Sequence, residues 1–527
     1  MQIDDSRQAD QRELVVVIGA TGYVGARLVP RLIEAGFRVR ACGRSLAKLE
    51  SRTWSKMDGV ELVSVDVFDK DSLSAALHGA QHAYYLVHSM NSTSKDFADS
   101  DRKAAHNMVQ CASEQRIERI VFLGGLTGQP LEPASGKSKQ DAPKLSKHLE
   151  SRDEVAKILQ AGPVPTTVLR AGIILGSGST SFEILRYLVS RLPIMITPKW
   201  VSTPTQPIAI RNVLHYLIGC LKVPETVGRQ FDIGGPDILS YGELMQIYAE
   251  EAGLGRRIII PVPVFTPTLS SHWIHLVTPV PGYIARPLAE GLRNKSVCEP
   301  DSEAEIRALM PQDLFTCRMA IRLALEIMQH RIKDRKVESH WTDAGIMPPV
   351  EWANPGDPNW AGGDFYRDFR EIVVEQSPAE VWSRLELLGG GTGWYYGNWL
   401  WRLRGWMDRV IGGVGLTRGR RDNQRLYAGD ALDFWRIMEV KDEKRLVLSA
   451  EMILPGRATL EFRLKDLGQG RTRVQQIACY QPQGLLGLLY WWSVKPLHAF
   501  VFNGMLRGIA AGDDKKIISG PSFAQSI

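Results

Sequence analysis

The chain of 527 residues is too long for one hydrophobic core, and length alone suggests roughly two to four domains. Apolar residues make up 44% and charged residues 23%, the balance of a soluble globular protein, and a formal charge of +6 over this length gives no reason to expect a nucleic-acid partner. Cysteines at 42, 111, 220, 298, 317 and 479 show neither a C-x-x-C pair nor zinc spacing, so they read as buried thiols in a reducing compartment, with no metal site. The polar start MQIDDSRQADQRE has no apolar signal segment, which points to the cytoplasm.

From Leu14 to about Gly176, short β-branched runs alternate with helix-length stretches. Leu14–Ile18, Phe37–Cys42, Val60–Val65, Ala83–Val87, Ile120–Leu123 and Thr166–Leu169 are predicted strands, with helices over Tyr23–Ala35 and Arg102–Glu114 between them. This alternation predicts an α/β fold with a doubly wound parallel sheet. From Ser181 to about Arg331 helical patterns dominate, broken by proline-rich turns, and form a helical lobe that completes a first domain over 13–330. Residues 331–364 hold four prolines, Trp341, Trp352 and Trp360, and read as a linker. Period-2 alternation follows: Leu460, Phe462 and Leu464 share one face of a strand, with Thr459, Glu461 and Arg463 on the other. Pro455-Gly456 and Gly468-Gln469-Gly470 mark its turns. An apolar stretch from Gly484 to Leu506 is interrupted by Lys495, Pro496, His498 and Asn503 and reads as a packed or interfacial helix, not a spanning one. The second domain is therefore α+β over 365–512, and 513–527 is expected to be a flexible tail.

Gly19, Gly22 and Gly25 form G-x-x-G-x-x-G directly after the first strand and at the start of a helix. The first glycine turns the chain, the second lets backbone N–H groups approach a pyrophosphate, and the third lets helix and strand pack closely. The helix N-terminus adds its positive dipole end. This predicts a dinucleotide site formed by Gly19, Thr21, Gly22, Tyr23, Val24 and Gly25. At the end of the second strand, where an NAD site presents an acid to the ribose, the sequence reads Arg38 to Ser45 without one. Arg44, with Ser45 beside it, suits a 2′-phosphate and favours NADP(H), with NAD still open. Arg38 and Arg40 read as the exposed face of a strand.

GATGYVG, VDVFD at 65–69, LVHSM and LRAGIILG together resemble an atypical short-chain dehydrogenase/reductase of the extended, NmrA-like kind, over about residues 14–330. The resemblance implies a Rossmann fold in which Asp66 and Val67 flank the adenine and Leu86, Val87 and His88 lie along the cofactor. The usual catalytic Tyr-x-x-x-Lys falls on His148 and Arg152, and no tyrosine occurs between Tyr85 and Tyr187 to restore it. The serine that ends the fifth strand is replaced by Gly124 and Gly125, with Thr127 the nearest hydroxyl. A histidine starts near pKa 6.5 and can exchange a proton at neutral pH, while Arg152 one turn away favours the neutral ring and can still hydrogen-bond a ribose. His148 as proton donor and His148 as a space-filler both remain open.

FREIVVEQSPAEVWSRLE at 369–386, the antiparallel strands and the long last helix resemble an SRPBCC (START-like) helix-grip domain, which implies an apolar cavity for a lipid-like or polycyclic ligand. Ser377 and Glu380 make a capping box with Pro378 at the first helical position. The whole chain resembles bacterial proteins that join these two domains. An insertion from Gly393 to Arg421 departs from the family pattern, and eight of its first fourteen residues are aromatic or leucine. Core packing, a ligand-lined cavity and a membrane interface all suit such a cluster. The expected partner is a hydrophobic small molecule, with peripheral contact at the inner face of the cell membrane open. Three functions follow: an NADP(H)-dependent oxidoreductase acting on a hydrophobic carbonyl or quinone-like compound, a non-catalytic NAD(P)-binding redox sensor or assembly factor, and a lipid-binding protein with a vestigial reductase domain.

Overall fold

The computed structural model describes residues 12–87, 97–127, 146–262, 277–333, 356–358, 361–416, 425–510 and 516–523. The chain forms two compact units, residues 1–327 with 336–363 and residues 328–335 with 364–527.

The first unit opens with β1 (Leu14–Ile18), α1 (Tyr23–Glu34), β2 (Arg38–Gly43), α2 (Leu46–Glu50), β3 (Val60–Ser64), α3 (Lys70–Leu77), β4 (His82–Tyr85), α4 (Phe97–Glu114), β5 (Arg119–Gly125), α5 (Lys147–Gln160) and β6 (Thr166–Ala171). It continues through α6 (Thr180–Arg191), β7 (Ile194–Pro198), α7 (Ile210–Lys222), β8 (Gln230–Ile233), α8 (Tyr241–Glu251), β9 (Ile258–Val262), α9 (Gly282–Gly291), α10 (Pro300–Leu309) and α11 (Cys317–Lys333). Seven strands pair in the order β8-β6-β5-β4-β1-β2-β3, every neighbour parallel. All five residues of β1 are buried because helices cover both faces. Val15 and Val17 pack with Val29 and Leu32 of α1 and Leu217 of α7. Val16 and Ile18 pack on the opposite side with Met108 of α4 and Leu159 of α5. Each such side chain contributes ~1.5–3 kcal/mol by leaving water. The strand order reverses direction between β1 and β4, and in a doubly wound sheet that crevice, at the carboxyl ends of the strands, is where ligands bind.

The second unit holds β10 (Tyr366–Val374), α12 (Pro378–Glu386), α13 (Asn398–Val410), β11 (Ala431–Leu432), β12 (Trp435–Lys441), β13 (Arg445–Ala450), β14 (Gly456–Gly468), β15 (Arg471–Pro482), α14 (Gly484–Ala510) and β16 (Ile517–Phe523). Its seven strands run β11-β12-β13-β14-β15-β10-β16, all antiparallel. Leu460, Phe462 and Leu464 share a core with Ile372 and Val474 of the sheet and Met505, Leu506 and Ile509 of α14. Ser377 and Glu380 close the capping box at the start of α12.

Three expectations change. The tail after 512 was expected to be flexible, yet Ile517–Phe523 forms a strand antiparallel to β10, because the edge of β10 offers unpaired backbone groups. Of the span 331–364, expected to be linker, the described residues 356–358 and 361–363 are counted with the first unit. Glu461, placed on the polar face of β14, is fully buried and lies between the guanidinium groups of Arg445 (2.8 Å) and Arg463 (2.5 Å). All six cysteines are buried, and none takes part in a disulfide.

Candidate functional site

The glycine loop owes its shape to close approaches that leave no room for side chains. Gly19 sits at φ +95°, and a Cβ there would stand 2.7 Å from the Leu86 carbonyl oxygen. A Cβ on Gly25 would stand 2.4 Å from the Gly19 oxygen. The N–H groups of Gly19 and Ala20 both donate to the Cys42 carbonyl of β2, at 3.1 and 3.0 Å, and the Leu86 N–H donates to Ile18, at 2.9 Å. The loop is thereby held between β2 and the end of β4. Gly22, at the N-cap of α1, is exposed, and the helix starts with no side-chain cap and no acid in its first turn. An uncapped first turn with an open approach fits a pyrophosphate.

Around this cradle the sequence-predicted groups fall as follows. Thr21, Tyr23 and Val24 are half-buried beside the exposed Gly22. Arg44, just after β2, is exposed, and Ser45 caps α2, accepting from the Lys48 N–H at 3.4 Å. Asp66 is exposed and accepts from the Phe68 N–H at 3.0 Å. Val67 is buried, its carbonyl accepting from Asn107 at 3.0 Å. Leu86 and Val87 are half-buried, while His88 lies outside the described residues. Arg38 and Arg40 pair with Glu61 of β3, each at 2.8 Å, as strand-surface residues.

The altered catalytic stretch begins at Ser146, which caps α5 by accepting from the Leu149 N–H. His148 sits in the first turn, only 8% exposed. Burial and then the Arg152 charge push its pKa down to about 3, so the ring is neutral throughout the physiological range. Arg152, half-buried, donates to the Leu123 carbonyl at the end of β5 and stands 5.5 Å over the Phe122 ring. Burial pushes its pKa down to about 10 against the pull of Asp101 and Tyr85, which leaves it a cation at neutral pH. Ser151 donates to Asp101 at 2.9 Å, tying α5 to α4. A Cβ at Gly125 would come within 3.0 Å of Leu149. Thr127 belongs to a different group: Arg170 donates to its hydroxyl at 3.4 Å and pairs with buried Asp232 at 2.6 Å.

Sequence reasoning missed a buried ion network behind the cradle. Asp357 pairs with Arg27 of α1 at 2.8 Å and with Arg52 at 3.4 Å. Arg52 in turn donates to the Thr21 carbonyl of the glycine loop at 2.5 Å, and Arg27 to the Ser177 carbonyl at 2.9 Å. A second polar set lies inside the second unit. Arg370 clasps Asp368 at 2.7 and 3.0 Å and donates to Asn503 of α14, with His498 3.4 Å from Asp368. Burial opposes ionisation of Asp368, but His498 and Arg370 hold its carboxyl below the usual range. Gln476, register partner of Arg370, is buried with no hydrogen bond to either amide atom.

Residues 11–265 match the NmrA-like family, and residues 360–505 match DUF2867, a protein family of unknown function. TIC 62, a chloroplastic protein of Oryza sativa subsp. japonica, is 29% identical over 140 residues, which is 23% of this chain and 28% of that protein. Cinnamoyl-CoA reductase 1 of the same plant is 28% identical over 127 residues, covering 23% of this chain and 37% of its own length. The chain thus spans about a third of these curated relatives, which are plant proteins and not the bacterial ones that the sequence resemblance suggested. Triphenylmethane reductase of Citrobacter sp., solved with NADP(H), superposes with a TM-score of 0.45 at 16% identity over 59% of this chain and 99% of that one. Residues 11–265 are thus similar to the NmrA-like family and residues 360–505 to DUF2867.

Proposed function

We propose that the first unit is an NADPH-dependent oxidoreductase whose acceptor is a hydrophobic, quinone-like compound. This reading is supported by His148, buried and neutral in the first turn of α5, at the place where the sequence resemblance puts the proton donor. Bound at the glycine loop, the dinucleotide would supply a hydride. Reduction of an isolated carbonyl leaves an alkoxide, which needs an acid in the same step. Reduction of a quinone leaves a phenolate-like anion, far less basic, which a neutral imidazole N–H and a nearby guanidinium stabilise by hydrogen bonding and charge while water delivers the proton. His148 and Arg152 offer that pair: a ring that donates a hydrogen bond without being an acid, and a cation at neutral pH. Arg44 reads the 2′-phosphate, supported by its exposure at the end of β2 and by the carboxylate-free stretch from Arg38 to Ser45. The second unit binds and delivers the acceptor, a reading supported by the buried Gln476 beside Arg370, a polar anchor inside its apolar core.

A second reading is a binding protein without turnover, favoured by Gly124 and Gly125 where the related enzymes carry serine. Calorimetric titration with NADPH and NADH, followed by NADPH oxidation with quinones and with aliphatic ketones, separates the two. The oxidoreductase reading expects NADPH to bind more tightly than NADH and quinones alone to be reduced. Arg44→Ala should weaken NADPH by about 10- to 100-fold, as for a lost charge-assisted hydrogen bond, and leave NADH unchanged. Tight binding with no turnover on any acceptor supports the second reading, and binding of neither nucleotide overturns both.

A further inference from the structure

Helix α13 is built inside out. Its buried residues are Gly405 and Asp408, whereas Trp399, Leu403, Trp406, Met407 and Val410, spaced at helical intervals, face outward. Trp399 and Trp406 are each 63% exposed. Asp408 shares the inward side with Leu400, Trp401 and Gly405: it is fully buried and accepts from the N–H groups of Gly415 at 2.8 Å and Ile453 at 2.7 Å. Those bonds fix the rotation of the helix and leave the Trp399 and Trp406 indoles in water. Helix α14 shows the same division along its first half. Leu486, Leu489, Trp492, Leu497 and Phe500 form an exposed stripe, while its last turns, with Met505, Leu506 and Ile509, fill the core of the sheet. The two stripes adjoin, since the Tyr396 ring before α13 lies 5.0 Å from Phe500. Part of the aromatic cluster is ordinary core, with Trp394 buried against Phe434 and Trp401; Trp399 and Trp406 are not.

The exposed charges on the two helices have one sign. Arg402 and Arg409 of α13 and Lys495 of α14 are exposed, and Lys495 stands 4.6 Å over the Trp492 ring. Helix α14 contains no Asp or Glu, and the one acid of α13 is the buried Asp408. Exposed tryptophans with leucines, bordered by cations and with no exposed carboxylate on either helix, match the headgroup region of an anionic bilayer in both polarity and charge. We propose that the second unit docks on an anionic lipid surface through the outward faces of α13 and the first half of α14. At 27 residues, with an 18-residue stretch of mean hydropathy 1.2, α14 is long and apolar enough to cross a membrane by composition. Its last turns are committed to the sheet, however, so it lies in the plane of the interface. The proposal is independent of the reaction proposed above.

The test is co-sedimentation of the full chain with vesicles of phosphatidylcholine alone and of phosphatidylcholine mixed with phosphatidylglycerol, at low and high salt. Binding should favour the mixed vesicles, weaken with salt and shift tryptophan emission to the blue. Trp399→Glu with Trp406→Glu should abolish it. Arg402→Gln and Arg409→Gln should each weaken binding by about five-fold, as for one basic contact. All four side chains are exposed, so thermal melting and NADPH affinity of the variants should match the parent and report an intact fold. No sedimentation with either vesicle overturns the proposal. So does a dimer in lipid-free solution that Trp399→Glu with Trp406→Glu converts to monomer, because a second copy would then be what covers this face.

Discussion

Burial and the Arg152 guanidinium hold the His148 imidazole at about 3, and this single ring links the site to the stability of the first unit. Unfolded, the same imidazole titrates near its usual 6.5. Below that value the unfolded chain takes up a proton that the folded chain refuses until about 3. Stability is therefore complete above ~6.5 and is lost as pH falls through the window between the two values. His82 and His215, also lowered by burial, push in the same direction. At about pH 5 the His148 contribution amounts to ~2 kcal/mol, and it depends little on where below 4 the folded value lies. His148→Gln should flatten the pH dependence by that amount, read as urea midpoints at neutral pH and near pH 5. A variant whose midpoints fall in parallel with the parent's would mean that His148 is protonated in the folded chain at pH 5, and it would remove the basis for excluding a protein acid from the reaction.

Segment 356–358 acts on helix α1 and the glycine loop together, through Asp357. This carboxylate is 4% exposed between Arg27 and Arg52, and Arg52 holds the Thr21 carbonyl. Removing one partner from a buried pair leaves uncompensated charge and costs ~3–5 kcal/mol. Asp357→Asn should lower the melting temperature and also weaken NADPH, since the loop loses the contact that fixes Arg52 beneath it. A drop in melting temperature with unchanged NADPH affinity would confine the segment to a structural role. The contrast between this segment and the loop it braces shows what the sequence reveals. Gly19, Gly22 and Gly25 were legible because strand, turn and helix are adjacent in the chain and each glycine answers a local close approach. The capping box of α12 was legible for the same reason. Asp357 was not, because its partners lie more than 300 residues away and nothing in its neighbourhood marks it as buried. The strand Ile517–Phe523 escaped notice likewise: its pairing is decided by the free edge of β10, and Gly520, Pro521 and the serines beside it read as tail. For α13 the composition was legible but its rotation was not, since Asp408 sets which face turns out.

At the scale of the whole chain, the cores are separate. Val15, Leu28 and Phe231 belong to the sheet of the first unit, and Phe434, Phe462 and Met505 to that of the second. The dinucleotide cradle, the His148–Arg152 pair and Asp357 all lie in the first unit, so a nucleotide that binds there stabilises that unit alone. At about 100 times its dissociation constant, NADPH adds ~2.7 kcal/mol to the unit that binds it, which raises the melting temperature of a domain this large by roughly 5 °C. Calorimetric unfolding should accordingly show two transitions, of which NADPH moves one and leaves the other in place. Asp357→Asn should lower the NADPH-sensitive transition and no other, because the segment is counted with the first unit despite lying just ahead of the second in the chain. Trp399→Glu with Trp406→Glu, exposed on the second unit, should shift neither. If NADPH moved both transitions together, the two units would unfold as one body.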